Sequence, residues 1–250
     1  MSELFAPSRR RLPAIVPPLL SFAAGFIDSF TVLALFGLFV AQVTGSFVLM
    51  AVAFVKNEQG SLIKALAVPV FLLAGVTTTV LAVVLERRRR AALPWILGLE
   101  CAVLTGFLLT ILISAPLSEA GAGSVAAASL LGLFAMGTQS AAVRLLMKDV
   151  ASTNVMTTNT TQLAIDAAEL VLAWQAERRA PADAALAAAY DTARVRIRAV
   201  YPIMLGFLAG TVVGMLAYLA VGLWGLLLPL AIMYGIFAWT SASALRAEPG

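Results

Sequence analysis

The chain is 250 residues long, 61% apolar and only 12% charged, with a formal net charge of +4 and a mean hydropathy of +0.96. Soluble domains are about 45–50% apolar and about 25% charged, so this composition cannot cover a water-facing surface and reads as an all-α integral membrane protein. The absence of histidine excludes Ser-His-Asp and Cys-His catalysis and imidazole metal sites, and a single cysteine, Cys101, excludes an internal disulfide.

Arg9, Arg10 and Arg11 precede an apolar run that mimics a signal peptide, but apolar character continues to Val55, far past a normal h-region. Segment 15–37 therefore reads as an uncleaved first spanning helix. It carries Asp28 near its middle, where a charge costs upward of about 2.5 kcal/mol unless it is paired or wet. Gly25 and Ser29 beside it would let another backbone approach closely. Segment 39–56 runs Phe39-Val40-Ala41-Gln42-Val43-Thr44-Gly45-Ser46 and then apolar to Val55, too short for the roughly 20 residues that a crossing needs.

Segments 65–85 and 92–114 are long enough to span, with Arg87 to Arg90 between them. The second carries Glu100, a carboxylate at mid-depth that could couple protons or pair with Arg144. Cys101 beside it reads as a small core residue. After a linker at 115–124 without Lys or Arg, segment 125–146 spans again and holds Gln139, Ser140 and Arg144. Segment 150–176 opens Ala151-Ser152-Thr153-Asn154-Val155-Met156-Thr157-Thr158-Asn159-Thr160-Thr161-Gln162, too polar to face lipid. It continues as an amphipathic helix with Gln162, Asp166, Glu169 and Ala173 on one stripe; Asp166 could line a cavity, and Glu169 suits a solvated face. The charged, alanine-rich stretch 177–198 reads as a cytoplasmic loop with room for a short helix, followed by spans 199–221 and 223–244. Trp95, Tyr201 and Trp224 stand near segment ends, as interface belts do.

Basic clusters at 9–11, 87–90, 178–179 and 194–198 mark cytoplasmic ends, while 115–124 and 221–224 lack Lys and Arg and lie outside. The parity of crossings then removes 39–56 and 150–176 as full spans, leaving six spans, two partial helices and both termini in the cytoplasm. Of the 17 basic residues only Lys56 and Lys64 fall outside, with Arg144 and Lys148 at the inner end of their helix.

A repeat then emerges. Gly25-Phe26-Ile27-Asp28 and Val43-Thr44-Gly45-Ser46 recur as Gly137-Thr138-Gln139-Ser140 and Met156-Thr157-Thr158-Asn159, displaced by 112 and 113 residues. Pro69 and Gly75 are echoed by Pro202 and Gly210. Within one domain, 1–250, halves of about 13–114 and 125–244 would each cross three times and so be inverted relative to one another, a 3+3 plan common in transporters and channels.

The chain resembles the YoaK family of bacterial inner-membrane proteins through Ala24-Gly25-Phe26-Ile27-Asp28, Val43-Thr44-Gly45-Ser46, Ala135-Met136-Gly137-Thr138-Gln139-Ser140-Ala141-Ala142-Val143-Arg144 and Val155-Met156-Thr157-Thr158-Asn159-Thr160. The resemblance implies six spans and no established activity. Gln42 stands where that family usually has a histidine, Ser46 and Ser140 where it has asparagines, and Thr158 where it has a glycine.

These features point to a transporter or channel for a small solute. Its candidate binding residues are Asp28, Gln42, Thr44, Gly45, Ser46, Gln139, Ser140, Thr157, Thr158 and Asn159, and its candidate charge-coupling residues are Glu100, Arg144 and Asp166. Half-helix starts at Thr44 and Thr157 would suit an anion or a carboxylate. The alternative is a scaffold or sensor whose basic loops bind lipid or a partner. No nucleophile–base pair, metal ligand set, cofactor motif or nucleic-acid surface is legible. The expected partners are the lipid bilayer, the solute and a second copy of the chain.

Overall fold

A computed structural model describes residues 12–56, 61–115, 117, 123–147, 150–179 and 184–246. The basic cluster 9–11, most of the linker 115–124 and Lys148 lie outside these residues. Eight α-helices follow in order: α1 Val16–Ala34, α2 Val43–Lys56, α3 Ser61–Arg87, α4 Ala92–Ile113, α5 Gly123–Leu146, α6 Met156–Arg179, α7 Ala184–Val221 and α8 Leu227–Leu245. A short 3-10 turn, Gly222–Leu226, joins the last two. The described residues include no strand.

α1, α3, α4 and α5 are each long and apolar enough to cross a membrane, and so is the stretch Ala188–Leu245. That stretch has 58 residues and contains both α7 and α8. At about 1.5 Å per residue it far exceeds one crossing, and its two helices are separated by the 3-10 turn that opens at Gly222, φ +61°. α2 has only 14 residues. α6 is long but too polar to be a span candidate. These are the two segments that the sequence sets aside as partial. The stretch expected as a loop with room for a short helix, 177–198, carries the ends of two long helices in its described residues. α6 runs to Arg179 and α7 starts at Ala184, because the alanine-rich sequence favours helix and Arg196 is tied to α6.

Small residues draw α1 and α7 together. A Cβ on Gly206, Gly210 or Gly214 would overlap the carbonyl oxygens of Pro18, Phe22 and Phe26 respectively, and one on Gly25 would overlap that of Phe207. Both series of contacts rise by four residues, so α1 and α7 are parallel. Close approach of backbones is the main source of packing energy between helices in lipid, which offers no hydrophobic drive of its own. α3 and α5 make the corresponding pair. A Cβ on Gly137 would crowd the Phe71 carbonyl oxygen and Ala74, and further along Ala82 and Leu85 gather with Ala142 and Leu146. This pair is parallel too. α4 returns beside α5, with Ala92 and Ile96 in that same cluster. α8 runs antiparallel to α4, Phe237 lying against Gly98 while Tyr234 bonds Thr105 at 3.0 Å. α2 packs on α3, and α6 on α7.

α1 ends at Ala34, earlier than its apolar run suggests, because Phe36 and Gly37 take left-handed backbone at φ 54° and 81°. The Gly37 N–H closes on the Val32 carbonyl at 3.0 Å. The chain then folds back as irregular backbone through Leu38, Val40 and Ala41, all buried. After α5 a second irregular stretch, Val150 to Val155, buries Thr153 and Asn154.

Candidate functional site

Irregular backbone within a bilayer must find partners inside the protein, and the side chain of Asp28 supplies them after α1. Its Oδ1 accepts the N–H of Val40 at 2.8 Å and of Ala41 at 2.6 Å, and the residue is only 2% exposed. Gln42, the next residue, lies beside the same carboxylate. The two irregular stretches meet here. Asn154 Nδ2 donates to the Ala41 carbonyl at 3.3 Å. On the other side of Thr153, Ser21 donates its hydroxyl to the Thr153 carbonyl at 2.9 Å, and Gln139 Nε2 donates to the Leu20 carbonyl at 3.0 Å and to Thr153 Oγ1 at 3.4 Å. Ser140 Oγ completes the network with a long bond to Asn154 Oδ1, 3.5 Å.

Each stretch is also stitched to the helix after it. Ser46 Oγ donates to the Phe39 carbonyl at 2.8 Å, and Asn159 Nδ2 donates to the Ser152 carbonyl at 2.7 Å. Both bonds span seven residues, and Phe39 to Ser152 and Ser46 to Asn159 are both steps of 113.

Of the residues singled out in the sequence, Asp28, Gln42, Ser46, Gln139, Ser140 and Asn159 belong to this assembly. Thr44, Thr157 and Thr158 do not, since their side chains are exposed on the outer faces of α2 and α6. Gly45 packs against the Phe39 ring, at 3.0 Å from where its Cβ would stand. Glu100 is fully buried and neither of its oxygens has a partner, whereas Arg144 is exposed. The two therefore do not pair, because they lie on faces of α4 and α5 that point to different environments. Asp166 is buried, but against α7 rather than in the interior network: Arg196 Nε bonds its Oδ1 at 2.7 Å, and Arg196 Nη2 bonds Glu169 at 2.6 Å. Sequence reasoning missed Ser21, Thr153, Asn154 and the backbone N–H groups of Val40 and Ala41. Thr153 and Asn154 lay inside the polar stretch 151–162, but nothing in their spacing separated them from the exposed threonines that follow.

A family model described as a protein of unknown function (DUF1275) matches residues 17–239. The chain belongs to this family. DUF1275 is the family that the Gly25–Asp28 and Gly137–Arg144 motifs resembled, and the match contains the whole interior network. No curated protein and no solved structure matches the chain. What this DUF1275 member does must be read from its own geometry, in which two buried breaks in the helical pattern are joined by the Asn154 amide and tied to the flanking helices by hydroxyls, a further amide and one carboxylate.

Proposed function

We propose that the chain is a multi-pass inner-membrane carrier or channel for a small solute, built from two inverted halves whose irregular segments, 39–46 and 152–159, form the site between them. The observation that carries it is the pair of bonds Ser46–Phe39 and Asn159–Ser152, the same tie made twice at one displacement. A chance likeness of apolar sequence has no reason to reproduce a hydrogen bond. The helix pairings support the same reading. Exchanging α1 with α5, α2 with α6, α3 with α7 and α4 with α8 turns the α1–α7 pair into α5–α3, the α2–α3 pair into α6–α7 and the α4–α5 pair into α8–α1. Each glycine of the matched motif, Gly25 and Gly137, faces a phenylalanine carbonyl on the helix it accompanies.

The bundles α1–α7 and α3–α5 would then move as rigid bodies about the irregular segments, opening the site first to one side and then to the other. On the positive-inside rule this reading has the Arg87–Arg90 turn and both termini in the cytoplasm. No catalytic activity is proposed, and the partners are the bilayer, the solute and a second copy of the chain. One observation favours the alternative of a non-transporting scaffold or sensor: a pocket close to the network, between Ile27, Leu104, Phe107, Leu226, Pro229 and Leu230, is small and apolar.

The deciding experiment is a solute-uptake screen in proteoliposomes at two pH values. The carrier reading expects saturable uptake that falls when Asn154→Leu breaks the contact with Ala41. Absence of uptake for cations, amines, carboxylates, sugars and inorganic anions alike, by protein shown to be folded, would leave the scaffold.

A further inference from the structure

We propose that the turn Arg87–Arg90, with Trp95 and Arg144 beside it, is a seat for the phosphate group of an anionic phospholipid. The inference needs only that α3 and α4 cross a membrane, and it does not depend on the carrier reading.

The backbone points to it first. α3 closes with the Arg89 N–H on the Glu86 carbonyl and the Arg90 N–H on the Leu85 carbonyl, both at 2.9 Å. Such a closure needs left-handed backbone at Arg89, which has φ 56°. Glycine is the usual occupant of that position, and a residue with a side chain is strained there. The chain nevertheless places an arginine at it, within a run of four, Arg87 to Arg90, all exposed. The N–H groups of Arg88, Arg89 and Arg90 are spent on carbonyls, so an anion at this turn is held by guanidinium groups.

Depth then selects the anion. The turn joins two helices of spanning length, so it lies where the hydrocarbon ends. Trp95, in the first turn of α4, is 54% exposed and has the Arg90 guanidinium over its ring at 5.9 Å. An exposed tryptophan at a span end sits at headgroup level, which sets the arginines among the lipid phosphates. α5 ends at the same level, since Ala142 and Leu146 gather with Leu85 and Ala92. Arg144, on that last part of α5, is exposed and adds a fifth positive charge. Across 61–99 the one acidic residue is Glu86, so positive charge stays in excess. All five basic groups are arginines, whose planar fork matches phosphate oxygens two at a time where lysine offers a point charge. The run 194–198 offers no such surface, because Arg196 at its centre is held by Asp166 and Glu169.

The test uses the full chain in detergent with phosphatidylglycerol, phosphatidylcholine or inorganic phosphate added. It reads the melting temperature and, by native mass spectrometry, the lipid retained. Phosphatidylglycerol should be retained in preference to phosphatidylcholine and should raise the melting temperature, and inorganic phosphate at the same concentration should not raise it. An arginine at an anionic surface contributes about fivefold in affinity, so Arg88→Gln with Arg89→Gly should weaken phosphatidylglycerol binding about 25-fold. Arg89→Gly alone relieves the strained backbone, so it should melt no lower than wild type in phosphatidylcholine and still lose about fivefold in binding. That single variant keeps the test decisive even where the double variant does not fold. Arg194→Gln with Arg198→Gln removes the same charge from the other basic run and should leave binding unchanged. Equal retention of the two lipids, equal losses in the two double variants, or equal stabilisation by inorganic phosphate overturns the site.

Discussion

Asp28 shows how one side chain can be both a structural element and a source of chemistry. With Oδ1 it satisfies two backbone N–H groups that the end of α1 leaves exposed to a medium without water. Orphaning a buried donor costs about 1–3 kcal/mol, so Asp28→Ala should lose about 2–5 kcal/mol of stability, read from melting or from denaturant unfolding in detergent. Asp28→Asn keeps an acceptor at Oδ1 and should lose clearly less. Equal losses in the two variants would mean that the N–H contacts do not hold the segment. Glycine makes the same kind of contrast at a single atom. Gly210→Ala drives a methyl into the Phe22 carbonyl and should cost about 1–3 kcal/mol, the range for overpacking. Gly75→Ala meets nothing within 4 Å and should be neutral or stabilise by up to about 1 kcal/mol through helix propensity. Parallel melting curves of the two variants separate an effect of packing from one of glycine as such.

At the scale of elements, α2 and α6 are held along one narrow seam each. The buried positions of α2 are Ser46 and Ala53, and those of α6 include Asn159, Asp166 and Ala173, a step of seven in both. α6 adds an ionic clasp, since Arg196 of α7 reaches both Asp166 and Glu169. Bonding to Asp166 raises the Arg196 guanidinium above its ordinary range, so it stays charged at every accessible pH. Removing the arginine leaves Asp166 buried without its cation, which is worse than removing both. Arg196→Ala should therefore loosen α6, seen as faster amide exchange and new proteolytic cleavage within 156–176, while the amides of α1 and α5 keep their protection. The double variant Arg196→Ala with Asp166→Leu should recover much of the protection, which a purely surface role for Arg196 would not produce.

For the whole molecule the testable quantity is direction. α1 and α7 run together, α3 and α5 run together, and α4 lies antiparallel to α8. With six crossings, the turn at Arg88 and the turn at Trp224 then face opposite sides of the membrane. After Cys101→Ser, an impermeant thiol reagent should label Trp224→Cys from outside in intact cells and should label Arg88→Cys only after permeabilisation. Labelling of both from outside would break the inverted plan, because each half would no longer cross an odd number of times.

Much of this was legible in the chain because it follows from local physics. Composition alone places the protein in a membrane. The long, mostly apolar run of each candidate spanning helix needs no tertiary knowledge to be recognised. The short and polar segments around Thr44 and Thr157 also stand out by length and polarity, and so does the 113-residue echo between them. Asp28 is conspicuous because a carboxylate in an apolar helix has few reasons to be there. Tertiary structure decided which partners each group finds. Asp28 turns to the backbone at Val40 and Ala41 rather than to an anion, Glu100 and Arg144 stay apart, and Arg196 takes Asp166. The periodicity of α6 places Asp166 on a stripe but cannot say that α7 will cover that stripe. Thr44, Thr157 and Thr158 resemble Ser46 and Asn159 in every local respect, and only the direction from which α3 and α7 approach leaves the first three outside and brings the last two in. Hydropathy and spacing act along one chain, whereas hydrogen-bond satisfaction in lipid is settled between chain segments, where two breaks more than a hundred residues apart complete each other.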